Sequence, residues 1–215
     1  MPFLSDTVVC FDLDDTLYKE IDYLKSAYRE VASVAGHPEV APQMLDWYYV
    51  KENTFQKLIE TYGLSITIEE CLKIYRNHLP VISLDAEVKE YLEKLKEAGA
   101  KLGLISDGRS ITQKNKLKAL GLEGFFDKIV ISEELGSEKP NTRNYQVVMD
   151  EFPERKRFLY VGDNPLKDFI APNKLGWRTY CLKNDGRNIH GQYMSLPKEY
   201  MPNYVINKLE EIIKF

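Results

Sequence analysis

Histidine and cysteine are scarce in this chain, three of each among 215 residues, and tryptophan occurs only twice. Cys10, Cys71 and Cys181 are odd in number, widely spaced and set in apolar stretches. That excludes a disulfide framework and a CxxC metal site, and leaves buried small side chains in a reducing compartment. His37, His78 and His190 have no partner at metal-ligand spacing, so no histidine-based centre is expected. Charge of one sign is missing too: 33 acids stand against 29 bases, well mixed, for a net charge of −4. With no basic stripe, neither nucleic acid nor an anionic membrane is an expected partner, and an anionic substrate needs local positive charge. No stretch approaches the ~20 apolar residues that span a bilayer, and no basic segment followed by an apolar run opens the chain. The expectation is a soluble, cytoplasmic protein.

What is present is a pair of carboxylates, Asp12 and Asp14, directly after the apolar run Val8-Val9-Cys10-Phe11. A run that is apolar throughout reads as a strand buried on both faces, so acids following it emerge at its carboxyl end. In open α/β sheets, ligands bind there. Further short apolar runs lie at Leu102 to Ile105, Lys128 to Ser132, Phe158 to Val161 and Thr179 to Leu182, with Tyr204 to Ile206 as a sixth before a terminal helix. Between them, Val88, Tyr91, Leu92 and Leu95 repeat at helical spacing, as do Tyr145, Val148, Met149 and Phe152. This alternation predicts an α/β fold with a mainly parallel sheet. Gly99 and Gly121 sit where helices should stop, and Ser110 with Gln113 carries a capping-box signature.

Residues 18–81 break the alternation. Ile21, Leu24, Tyr28, Val31 and Ala35 mark one apolar stripe. Leu45, Tyr48, Tyr49, Phe55, Leu58, Ile59 and Tyr62 suggest another, and Thr67 with Glu70 can cap a third helix. Trp47, Tyr48 and Tyr49, at this spacing, read as core before they read as a stacking surface. A helical insertion directly after the acidic turn would sit over the carboxyl edge of the sheet, as a lid does.

Three more polar clusters follow predicted strands: Ser106-Asp107-Gly108-Arg109, Ser137-Glu138-Lys139-Pro140 and Gly162-Asp163-Asn164-Pro165-Leu166-Lys167-Asp168. In a parallel sheet these ends share one edge, so Asp12, Asp14, Thr16, Ser106, Lys139, Asp163 and Asp168 converge. Each alone has a plainer reading. Asp15 and Asp107 suit helix caps or turns, and Arg109 suits a substrate contact and a first-turn surface position equally.

In Asp-x-Asp-x-Thr at 12–16, the strand-end Ser106, the distal Lys139 and Gly-Asp-x-x-x-x-Asp at 162–168, in that order, the chain resembles the haloacid dehalogenase superfamily of phosphatases. The resemblance implies a Rossmann-like core at 1–17 and 82–215, with an all-α cap at 18–81 inserted after the first motif. It also implies a magnesium-dependent hydrolase acting on a small phosphorylated metabolite. Asp12 would be the nucleophile, forming an aspartyl-phosphate, and Asp14 the acid/base. Mg2+ would be held by Asp12, Asp163 and the Asp14 backbone carbonyl, with Asp168 supporting the metal site. Thr16, Ser106 and Lys139 suit the phosphate, with backbone amides from Asp107 and Gly108. A phosphomutase shares this pattern. A dehalogenase needs no second acid, so Asp14 argues against one. A phospho-accepting receiver module carries its phosphorylated aspartate after a middle strand rather than the first.

Overall fold

The computed structural model describes residues 4–213. Six strands form one sheet: β1 (Thr7–Phe11), β2 (Lys101–Ser106), β3 (Lys128–Ile131), β4 (Arg157–Gly162), β5 (Arg178–Leu182) and β6 (Tyr204–Ile206). All pair in parallel, in the order β3-β2-β1-β4-β5-β6. The crossovers run one way from β1 to β3 and the other way from β4 to β6. The gap between β1 and β4 is therefore the topological switch point, where a crevice opens at the strands' carboxyl ends.

Every residue of β1 is buried, with Val9 and Phe11 facing one hydrophobic cluster and Val8 and Cys10 the other. Full burial of such side chains stabilises by about 1.5–3 kcal/mol each, which explains the lack of alternation. Helices α5 (Ala86–Glu97), α6 (Ser110–Ala119), α7 (Ser132–Leu135), α8 (Arg143–Glu151) and α9 (Ile170–Lys174) lie in the connections between strands. Gly99 and Gly121 follow α5 and α6 with positive φ, the conformation that ends a helix at least cost. All three cysteines are buried and free.

The segment between β1 and α5 is helical: α1 (Glu20–Val34), α2 (Ala41–Tyr49), α3 (Thr54–Tyr62) and α4 (Ile68–Asn77). These helices enclose their own cluster, built on Leu24, Tyr28, Val31, Met44, Trp47 and Leu58. Trp47 is core, whereas Tyr49 is exposed. The stripe read from Leu45 to Tyr62 is two helices. The chain breaks at Lys51, with φ 64°, and Asn53 caps α3 by accepting the Gln56 N–H. The Thr67–Glu70 capping box is present at α4. The expected terminal helix is instead one short turn, Leu209–Glu211, among the described residues.

Candidate active site

The ladder between β1 and β4 continues one residue past β1, because the Asp12 N–H donates to the Val161 carbonyl at 2.8 Å. This sets Asp12 at the switch point. Lys139 Nζ donates to Asp12 Oδ1 at 2.7 Å, to Asp168 Oδ1 at 2.8 Å and to the Tyr160 hydroxyl at 3.1 Å. One fully buried ammonium thus serves two carboxylates. Asp168 is fixed from its other oxygen by the Asn164 N–H at 2.8 Å. A Cβ on Gly162 would lie 2.5 Å from Asp168 Oδ2, so only glycine leaves room for that carboxylate.

Asp14 is held by a different set. Lys116 Nζ donates to both of its oxygens at 2.7 and 2.9 Å, Gln113 Nε2 to Oδ2 at 2.9 Å, and the Tyr18 hydroxyl to Oδ1. Gln113 also donates to Ser106 Oγ at 2.6 Å, joining the second acid to the strand-end serine. The capping box expected of Ser110 and Gln113 is therefore absent. Ser110 is already inside α6, its N–H is capped by Glu133, and Gln113 turns inward. Lys116 carried no sequence signal, and Gln113 carried only the cap signature. On α6, Ile111 is exposed while Gln113 and Lys116 are buried, the reverse of an ordinary amphipathic helix.

Above Asp12 lies a cavity of about 90 Å³, lined by Asp12, Asp14, Asp15, Glu20, Ser106, Asp107, Asp163, Asn164, Lys167 and His190. Lys139 and Asp168 lie beneath it. Of the predicted phosphate contacts, Ser106 and Asp107 line it and Thr16 does not. Asp15, with φ 57°, swings the chain so that Thr16 is buried in the wall of a neighbouring cavity, its hydroxyl without a hydrogen-bond partner among the described residues. The Gly108 N–H, expected at a phosphate, donates to Ser132 Oγ at 2.9 Å. Asp15 has the plain capping role: it accepts the Glu20 N–H at the start of α1 and the Ile189 N–H. Asp107 accepts the Lys139 N–H and pairs with Lys167 at 3.3 Å. The loop after β5 brings Asn188 onto Asp163 Oδ2 at 2.9 Å and His190 to the cavity wall. Glu20, Lys167 and Asn188 carry no sequence signal of their own, since only the crossings of chain bring them here.

The electrostatics call for a cation. Burial raises Asp12 to about 6 against the pull of Lys139, with Asp168 adding to the rise. Burial, then Asp168 and Asp12, pushes Asp163 up to about 8. Burial works against charge on Lys139, yet Asp12 and Asp168 hold its ammonium well above the ordinary lysine value. Burial works to raise Asp14, but Lys116, with hydrogen bonds from Gln113 and Tyr18, holds that carboxyl below its usual range. Carboxylate oxygens of Asp12, Asp163 and Asp168 lie within 4.8 Å of one another. Both Asp168 oxygens already accept hydrogen bonds, so the open ones belong to Asp12 and Asp163. Two hard oxygen donors with room for water and phosphate fit magnesium, and its charge would relieve their repulsion.

A parallel sheet with nucleophile-competent and metal-competent acids at its switch point defines a hydrolase of the haloacid dehalogenase-like family. Residues 9–182 match that family, and the chain belongs to it. It is similar to a glyceraldehyde 3-phosphate phosphatase of Methanocaldococcus jannaschii, at 28% identity over 95% of this chain and 94% of that one. A second enzyme of that name, from Methanothermobacter thermautotrophicus, is 30% identical over 82% of this chain and 85% of its own. The fold matches a HAD-hydrolase, YfnB, from Bacillus subtilis solved with magnesium, with TM-score 0.67 and 21% identity over 97% and 96% of the two chains. Among the described residues, no helix is long and apolar enough to cross a membrane.

Proposed function

We propose that the protein is a magnesium-dependent phosphatase that hydrolyses a small phosphate monoester through a phospho-Asp12 intermediate. The observation that carries this reading is the Asp12 carboxylate itself. One oxygen is anchored on Lys139, the other takes no hydrogen bond among the described residues, and the residue lines a cavity shared with Ser106 and Lys167.

In the first step an Asp12 oxygen bonds to phosphorus while the bond to the leaving oxygen breaks, and Asp14 gives that oxygen a proton. In the second, water attacks phosphorus, the Asp12–phosphorus bond breaks, and Asp14 takes the water's proton, which restores both residues. The clamp of Lys116 and Gln113 favours ionised Asp14, the form that receives this proton, and makes the protonated form a readier donor. Ser106 and Lys167 are suited to the phosphoryl oxygens, and Lys139 keeps Asp12 oriented and ionised. Asp12 and Asp163, with the Asp14 carbonyl, would hold magnesium, whose charge offsets the repulsion between phosphate and nucleophile. Thr16 has the role of packing the acidic turn.

Size supports a small substrate. Ligand sites for drug-sized molecules run to about 300–1,000 Å³, far above the 90 Å³ here. We read residues 18–81 as a cap that closes this space, and the names of the relatives make a three-carbon sugar phosphate the leading substrate class. The test is phosphate release from glyceraldehyde 3-phosphate, glycerol phosphate and phosphoglycolate, with magnesium and with chelator, for the native protein and Asp12→Asn. Turnover should need magnesium and vanish in Asp12→Asn. Rates that survive chelation would remove the metal from the reaction, and rates that survive the substitution would remove Asp12.

A further inference from the structure

The acids around the cavity are nearly all satisfied. Asp14 has Lys116, Gln113 and Tyr18; Asp15 has two backbone N–H groups; Asp107 has Lys167 and the Lys139 N–H; Asp163 has Asn188. Glu20 is different. Among the described residues no donor comes within hydrogen-bonding distance of its carboxylate. Lys116 Nζ and the His190 ring nitrogen Nε2 stand 3.9 Å from its two oxygens. Its backbone is fixed, because the Glu20 N–H donates to Asp15 at 3.0 Å and so pins the first turn of α1. The side chain is only 22% exposed and lines the cavity.

A carboxyl that lines a cavity with no hydrogen-bond donor on it is open to one from a ligand. Burial, followed by the nearby Asp14, pushes Glu20 up to about 8 against the pull of Lys116. The residue shares its cavity with Asp12, Asp14 and Ser106. With phosphorus on Asp12, the leaving oxygen must meet Asp14, and Lys116 lies 2.7 Å from Asp14 and 3.9 Å from Glu20. Glu20, on the first turn of α1, lines the same cavity as Asp14, so a leaving group held at Asp14 has Glu20 in its surroundings.

We propose that Glu20 is the specificity-determining residue for the leaving group, taking a hydrogen bond from a hydroxyl carried on it. The preferred substrates are then phosphate esters of small polyols and hydroxylated carbonyl compounds rather than of plain alcohols. This assignment rests on the phosphatase reading of the same site and deepens it. A binding group that expects a hydroxyl rejects the analogue lacking it more strongly than an apolar wall rejects an added one, because its own buried polar atoms are left unpaired.

The experiment compares two esters that differ only in hydroxyls, glycerol 1-phosphate and propyl phosphate, by kcat/KM in magnesium. The native protein should prefer the first by about 2- to 10-fold, the range for an ordinary hydrogen bond. Glu20→Ala should bring the ratio close to unity. Glu20→Gln, which keeps an acceptor oxygen in the same shape, should restore most of it. No preference in the native protein, an Ala variant that loses both esters equally, or a Gln variant that behaves like Ala would each overturn the proposal. The same pair titrated calorimetrically onto Asp12→Asn, with and without Glu20→Ala, reads the preference without turnover. A hydroxyl preference in binding that disappears with Glu20→Ala supports Glu20 even if the native protein hydrolyses neither ester, and that absence of hydrolysis refutes the phosphatase reading alone. Equal affinities for the two esters overturn Glu20.

Discussion

At the scale of single residues, the site depends on one ammonium placed between two acids. Lys139 is wholly buried and bonded to Asp12 and Asp168, so removing any member leaves an uncompensated charge inside the protein. Gly162 is the least conspicuous part of this arrangement. An added Cβ would meet Asp168 at 2.5 Å, and Asp168 cannot retreat without giving up Lys139 or the Asn164 N–H. Gly162→Ala should therefore cost about 1–3 kcal/mol of stability, as overpacking does. We expect it also to lower kcat by more than about tenfold, since a 1 Å misplacement near reacting groups can cost about 10². Denaturant midpoints and steady-state rates measure the two effects, and values near the native ones for both would show that Asp168 has room to move. Asp12, Asp14, Ser106, Lys139, Asp163 and Asp168 were all legible as a strand-end set. Glu20, Gln113, Lys116, Lys167 and Asn188 were not, because polar residues on helices and loops look the same whether they face water or a cleft.

At the scale of elements, Asp15 ties two pieces of chain to the acidic turn. Its carboxylate accepts the Glu20 N–H from α1 at 3.0 Å and the Ile189 N–H from the loop after β5 at 3.1 Å. Asp15→Ala orphans both donors and should destabilise by about 2–3 kcal/mol. Asp15→Asn should cost less, because asparagine tolerates the left-handed backbone and keeps one acceptor. Thermal unfolding ranks the two, and equal losses would mean that the backbone conformation rather than the hydrogen bonds decides. Helices were legible from periodicity in α5 and α8, with Gly99 ending the first, and from the Thr67–Glu70 box in α4. Sequence pattern failed at Lys51, whose left-handed turn has no glycine to announce it, and at Gln113, where a cap signature served the site instead.

At the scale of the whole molecule, His78 ties α1 to α4 and to the chain that leads back to the sheet. Its Nδ1 donates to the Tyr75 carbonyl at 2.8 Å and its Nε2 accepts from the Ser26 hydroxyl at 3.2 Å. The same serine oxygen accepts the Val81 N–H, where the chain returns towards α5. Burial lowers the His78 pKa from its ordinary 6.5, with Lys116 adding to the effect and the Tyr75 carbonyl and Glu30 opposing it. The folded protein thus resists a proton that the unfolded chain accepts. This contribution to stability is present above about 6.5 and is lost as pH falls through the lower folded value. Unfolding temperatures between about pH 7.5 and 5 should fall further for the native protein than for His78→Asn. Parallel curves would assign the acid sensitivity to other groups.

The sequence by itself determined the sheet, because buried strands and their glycine-punctuated crossovers are local patterns. It also determined the acids at the sheet's carboxyl edge, because strand ends are local as well. Only the tertiary structure decided that Lys139 lies between Asp12 and Asp168, that Thr16 turns away from the cavity, and that Lys116 holds Asp14. It alone left Glu20 lining the cavity with no hydrogen-bond donor among the described residues. These are relations between residues far apart in the chain, set by helix placement and loop crossings, and no spacing in the sequence encodes them.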